Sequence, residues 1–135
     1  MENQKLLVLG LDGASWNLLK PWMDKGELPN LEKVKDQGFS GNLESTYPYV
    51  TFPAWKTYST GRNPAKLDVY YWYKFDSSEG SLEFANSTDF KAKELWDYLE
   101  DSGFVSGVIN MPSTYPPKEM EGFMVSGTLA SEEDD

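Results

Sequence analysis

"KLLVLGLDGAS", Lys5 to Ser15, is a continuous apolar run that ends in an aspartate and a glycine. A run that is apolar throughout, without the alternation of a half-buried strand, reads as a parallel strand over residues 5–11, buried on both faces. Gly13 ends it, and Ser15 is placed to cap the helix that follows. Asp12 stands one step past the strand, and open α/β sheets gather functional groups at the carboxyl ends of strands. A carboxylate there is an Asx-turn acceptor, a metal ligand or a nucleophile, and the local sequence keeps all three readings open.

Working outward, helices and strands alternate. Trp16, Leu18 and Leu19 belong to a short helix that Pro21 should divide into two pieces. "LPNLEKVKDQG" (28–38) reads as a helix with Leu31 and Val34 inward and Gly38 near its end. "FSGNLES" (39–45) reads as a second strand, with Phe39, Gly41 and Leu43 on one face. "STYPYVTFPAWKTYSTGRNP" (45–64) starts as a loop, becomes helical near Thr51 and stops at Gly61. "DVYYWYKFD" (68–76) reads as a strand with Val69, Tyr71, Tyr73 and Phe75 on one face, and "SSEGSLEFANS" (77–87) as a loop. A helix is expected from Thr88 to about Ser102, with Ala92, Leu95, Trp96 and Leu99 inward and Gly103 at C′. "FVSGVIN" (104–110) reads as another buried strand, "MPSTYPP" (111–117) as a loop and "GFMVSG" (122–127) as a last short strand. This order predicts an α/β fold with a largely parallel sheet.

Composition narrows the chemistry. The 135 residues suffice for one ordinary domain, and 39% are hydrophobic and 15% aromatic, as in a globular protein. A net charge of −10 with only 12 Lys and Arg excludes a basic nucleic-acid surface. There is no cysteine and no histidine, so the chain has no thiol nucleophile and only oxygen donors, a poor set for zinc. The apolar run is too short for a membrane span or a signal-peptide core, which makes the cytoplasm the expected location.

Familiar phosphate-handling motifs fail at specific residues. The haloacid-dehalogenase signature ends a strand in Asp-x-Asp-Gly with the first Asp as nucleophile, and that position is Gly10. No Gly-x-Gly-x-x-Gly or P-loop follows the strand, and Asp12 would repel a pyrophosphate. The second constellation is "YVTFPAWKTYSTG" (49–61). As structure, Thr51 is an N-cap, Pro53 lies in the first turn, and Trp55 and Tyr58 pack inward. As chemistry, the same hydroxyl sits beside the first-turn N–H groups and the positive end of the helix dipole, which favour an alkoxide and an incoming phosphate. The two readings are compatible. Threonine is a poor nucleophile without a base or metal, and a carboxylate at a neighbouring strand end would supply a metal ligand.

"GLDGAS", "GELPNLEKVKDQGFSGNLES", "YPYVTFPAWKTYSTGRNP", "INMPSTYPP" and "GFMVSGTLA", in that order from about Lys5 to Ala130, resemble the type I phosphodiesterase/nucleotide pyrophosphatase family of the alkaline phosphatase superfamily. The resemblance implies a three-layer α/β/α alkaline-phosphatase-like sheet, of which residues 1–135 form the N-terminal part of a single domain. It implies two zinc ions, with Asp12 ligating one and Thr51 acting as both ligand and nucleophile on a phosphodiester. Thr51 and Asp12 would then share a metal, with side-chain oxygens within roughly 5 Å of each other. The substrate would be a small phosphoester or nucleotide-like molecule.

The chain also departs from the family's pattern. The remaining Asp and His ligands follow much later in longer relatives. "AKLDV" (65–69) replaces a Gly-Lys-His-Gly-like stretch, and Ala54 stands where nucleotide pyrophosphatases carry an Asn that helps hold the phosphoryl oxygen. The chain is therefore expected to be inactive as an isolated fragment, and to self-associate through an unpaired sheet edge. The alternatives are a non-catalytic α/β binding module and another superfamily member such as a phosphotransferase.

Overall fold

The computed structural model describes residues 5–127. The end of the last motif, Thr128–Ala130, and the acidic Ser131–Asp135 lie outside the described residues. The chain divides into two units, one up to Glu44 and one from Ser45.

In the first unit, residues 5–11 form no strand, and Leu6 and Leu7 are 85% and 88% exposed. The expected buried strand is therefore corrected. An apolar run specifies what a strand would bury, but a parallel strand exists only where neighbours satisfy both of its hydrogen-bonding edges. Among the described residues no strand pairs with this run. The same holds for residues 39–45, expected as a strand and found irregular, with Phe39 and Leu43 exposed.

Two helices occupy the rest of this unit. Helix α1 (Trp16–Met23) starts at Ser15, whose carbonyl accepts from the N–H groups of Leu18 and Leu19. It runs through Pro21 without the expected interruption. The proline removes one N–H near the end of a short helix, while the last turn still closes through Asp24 N–H to Lys20 O at 2.9 Å. The Lys20–Asp24 ion pair, 2.8 Å, spans that turn. Helix α2 (Pro29–Gln37) has Pro29 at its first position and Gly38 as its C-cap. Leu31 is half-buried as expected, but Val34 is 69% exposed and does not face inward.

The second unit begins with α3 (Thr51–Thr60), which Gly61 closes in the left-handed conformation, donating to Thr57 O at 2.8 Å. The short α4 (Pro64–Leu67) is capped by Asn63, whose side chain accepts from Lys66 N–H. Strands β1 (Tyr73–Asp76) and β2 (Ser81–Phe84) form an antiparallel hairpin with Tyr73 opposite Phe84. The loop expected over residues 77–87 thus contains a strand. Its alternation covers only four residues, too few to separate from a loop by periodicity. Asp76 accepts from Ser78 N–H at 2.7 Å and fixes the connecting turn.

Val69 was expected on the strand face with Tyr71, Tyr73 and Phe75. It lies instead in the core of this unit with Phe52 and Ala85, flanked by Leu67, Trp72 and Phe90. The Phe52 ring stands 5.2 Å from Trp72 and 5.8 Å from Phe90, centroid to centroid.

The long helix expected from Thr88 is a 3-10 turn at Ser87–Asp89 followed by α5 (Leu95–Asp101). Two reciprocal capping boxes divide it, Asn86 with Asp89 and Glu94 with Asp97. Such local side-chain bonds compete with continuing the helix. Partial burial pushes Asp97 up, but the Glu94 N–H and Lys118 outweigh it and hold the carboxyl below its ordinary value. Trp96 is buried as expected, Leu95 is exposed, and Gly103 follows the Ser102 cap with φ +80°.

Strands β3 (Ser106–Met111) and β4 (Gly122–Ser126) pair in parallel, with an irregularity between Ile109 and Met111. Among the described residues they form a two-stranded sheet of their own, separate from the antiparallel hairpin, and not one largely parallel sheet. Asn110 sits there with φ +54°. The burial expected around β3 is not found, since Val105 and Ile109 are exposed. Mixed helices and small sheets are compatible with the α/β class.

Gly122 carries a testable consequence. Its φ is +122°, and a Cβ there would lie 2.0 Å from Ser106 O. The obstacle is backbone, so it cannot rotate away. Gly122→Ala should destabilise the protein by at least about 1–3 kcal/mol through backbone strain alone, measured by urea denaturation. An unchanged midpoint would show that β3 and β4 do not approach this closely in solution.

Candidate active site

The candidate residues fall in different units, Asp12 in the first and Thr51 in the second. Asp12 is exposed in a tight turn in which Ala14 N–H reaches Leu11 O at 3.4 Å. Gly13 supplies the positive φ that this turn requires, +68°. This turn is closed by backbone groups, Ala14 N–H and Leu11 O.

Thr51 is half-buried at the first position of α3. The N-cap is Val50, in extended conformation, so the expectation of Thr51 as the cap is corrected by one residue. Helix geometry directs the N–H groups of Thr51 and Phe52 away from the helix's own carbonyls, and Pro53 has none. The first intrahelical bond is Ala54 N–H to Val50 O, 3.1 Å. No acidic residue occupies the first turn of α3 itself.

The inner face of α3 also differs from the expectation. Phe52, Pro53, Lys56, Ser59 and Thr60 are buried, whereas Tyr58 is 44% exposed and pairs edge-to-face with Trp55. Lys56 is the residue that sequence reasoning missed. Its side chain is 1% exposed, and Nζ donates to Glu94 Oε1 at 2.9 Å and to Ser113 O at 3.5 Å. It also lies 4.5 Å above the Phe90 ring centroid. Ser59 Oγ donates to the same Glu94 oxygen at 2.8 Å. The available signal was helical spacing, since Phe52, Lys56 and Ser59 at i, i+4 and i+7 mark one face.

This network ties α3 to the loop that follows β3, residues 112–117. Thr114 Oγ1 donates to Met111 O at 2.7 Å and accepts from Gly127 N–H at 3.0 Å. Ser126 Oγ reaches Thr114 O at 3.2 Å. The carboxyl ends of β3 and β4 are thereby joined through one loop, and α3 is anchored to it by Lys56. The loop expected at "MPSTYPP" is present.

The donor set does not by itself make a metal centre. The chain has no histidine or cysteine, and the described residues include no group of three or more Asp or Glu placed to hold an ion. Asp12 and Thr51 are a carboxylate and a hydroxyl, short of the four ligands that zinc prefers.

The N-terminus of α3, bearing the Thr51 hydroxyl, is a setting that favours anions. The chain belongs to the type I phosphodiesterase / nucleotide pyrophosphatase family, whose model matches residues 6–133. Members of that family are hydrolases of phosphodiester type and are generally metal-dependent. No curated protein and no solved structure matches the chain. Among the described residues, no helix is long and apolar enough to cross a membrane.

Proposed function

We propose that this chain carries the nucleophile of a two-metal phosphodiesterase or nucleotide pyrophosphatase-type hydrolase with a three-layer α/β/α fold. The observation that carries the proposal is the position of Thr51, at the first residue of a ten-residue helix inside the matched segment. Its hydroxyl oxygen attacks phosphorus in line and gives up its proton to solvent, the bond to one alcohol breaks, and the phosphoryl group, still carrying the second ester group, rests on Thr51 until water hydrolyses it. The first-turn N–H groups and the dipole favour the anionic phosphoryl oxygens. Asp12 is the carboxylate that this chain would contribute to a divalent ion, proposed to be zinc. The substrate is a small phosphoester or nucleotide-like molecule, and cytoplasmic location fits that reading.

Trapping the phosphoryl group tests the proposal. The full-length natural protein, quenched in acid during turnover of a p-nitrophenyl phosphodiester, should yield a peptide in which Thr51 carries the phosphoryl group with the substrate's second ester still attached. Phosphorylation confined to another residue would overturn the assignment.

The 135-residue chain alone should show no appreciable turnover of that diester with zinc added. Two zinc sites need about six to eight protein ligands, and the chain offers neither histidine nor cysteine toward them. Robust, zinc-dependent hydrolysis by the purified chain would show that its carboxylates suffice. Light scattering on the same sample would read the self-association proposed for the open strand edges.

A further inference from the structure

The cations of the second unit are divided in an informative way. Lys56, Lys74, Lys93 and Lys118 each pair with a carboxylate. Arg62, Lys66 and Lys91 pair with none among the described residues, and all three line one cleft of ≈ 270 Å³. In a chain with 22 Asp and Glu and a net charge of −10, three cations without an ion-pair partner on one cleft stand out, and Asp68 and Asp89 on the same lining offset only part of their mutual repulsion.

The cleft draws its cations from two walls. Arg62 and Lys66 follow α3 and belong to the α4 region, and Lys91 comes from the connection before α5. Leu67, Phe90 and Ala92 supply apolar lining. Of the two acids present, Asp89 is already engaged by Lys74 at 2.5 Å and by Asn86 N–H at 2.8 Å. Asp68 contributes one negative charge, which leaves a cationic surplus.

We infer that this cleft binds a small multivalent phosphate anion of diphosphate size. Three cations on one lining match a polyanion better than a single carboxylate, and a guanidinium offers paired N–H groups to phosphate oxygens. The volume falls just below the range of pockets that enclose drug-sized ligands, so it suits the phosphates and not a whole nucleotide. The cleft is separate from Thr51. The ten residues of α3 span about 15 Å between Thr51 and the Arg62 end, so one phosphate group cannot reach both. The inference therefore stands apart from the role proposed for Thr51.

Isothermal titration of the chain with inorganic pyrophosphate, in metal-free buffer of low ionic strength, tests this. The wild type should bind, and affinity should fall as salt is raised. Arg62→Gln combined with Lys91→Gln should weaken binding by about tenfold or more. Lys25→Gln combined with Lys33→Gln, which removes unpaired cations of the first unit, should change it by less than about twofold. Circular dichroism should show every variant folded, because none of these side chains makes an ion pair among the described residues. No binding by the wild type, equal affinity in the Arg62/Lys91 variant, or an equal loss in the Lys25/Lys33 variant would each overturn the site.

Discussion

Thr51→Ala in the full-length natural protein is expected to abolish hydrolysis of a p-nitrophenyl phosphodiester while leaving the protein folded. Removing a nucleophile eliminates the covalent route, so the loss should be at least about 10³-fold in kcat. The structural cost should be small. Val50, not Thr51, is the N-cap of α3, so the change should cost no more than the roughly 1 kcal/mol typical of losing a cap. Stability of about 5–15 kcal/mol absorbs that. Thr51→Ser keeps a hydroxyl at the same helix position and should retain measurable turnover, which separates chemistry from folding. Activity near wild type in a folded Thr51→Ala protein would remove Thr51 from the mechanism.

The second large effect concerns stability. Lys56→Ala leaves Glu94 buried with Ser59 as its remaining side-chain donor. Breaking one side of a buried ion pair costs about 3–5 kcal/mol, because the surviving charge stays desolvated and uncompensated. That is a large part of the stability of a small domain. Urea denaturation should therefore show a strongly lowered midpoint for Lys56→Ala, and likewise for Glu94→Ala. The double variant Lys56→Met with Glu94→Leu should recover most of the loss, since well-packed apolar groups carry no desolvation cost. A single-variant cost below about 1 kcal/mol would mean that water reaches the pair and that it behaves as a surface bridge. The pair also joins α3 to the start of α5 and to the loop after β3. Its loss should disturb the helix that presents Thr51.

Several features are legible in the residues themselves. Gly61 stopping α3 and Gly103 after α5 are read from the chain, because each takes a left-handed conformation that glycine adopts most readily, and Gly38 falls at the end of α2 as read. The positions of β4 and of the start of α3 near Thr51 also match the reading. The family is legible too, from the order of five motifs, none of which is specific alone.

Other features needed the folded chain. The apolar residues 5–11 and 39–45 look like strands, yet strand formation depends on partners that a local pattern does not contain. The hairpin strand Ser81–Phe84 was hidden by its length, and the start of α5 by a capping box inside a helical pattern. Lys56 and Glu94 are 38 positions apart, and Lys91 is far along the chain from Arg62. Only tertiary structure brings such charges together. Sequence alone determined where the backbone turns and which residue types are available for chemistry, because bond sterics and side-chain donors are properties of single residues. Tertiary structure decided what is buried, what is paired and which cations share a cleft, because desolvation and Coulomb energies depend on neighbours in space.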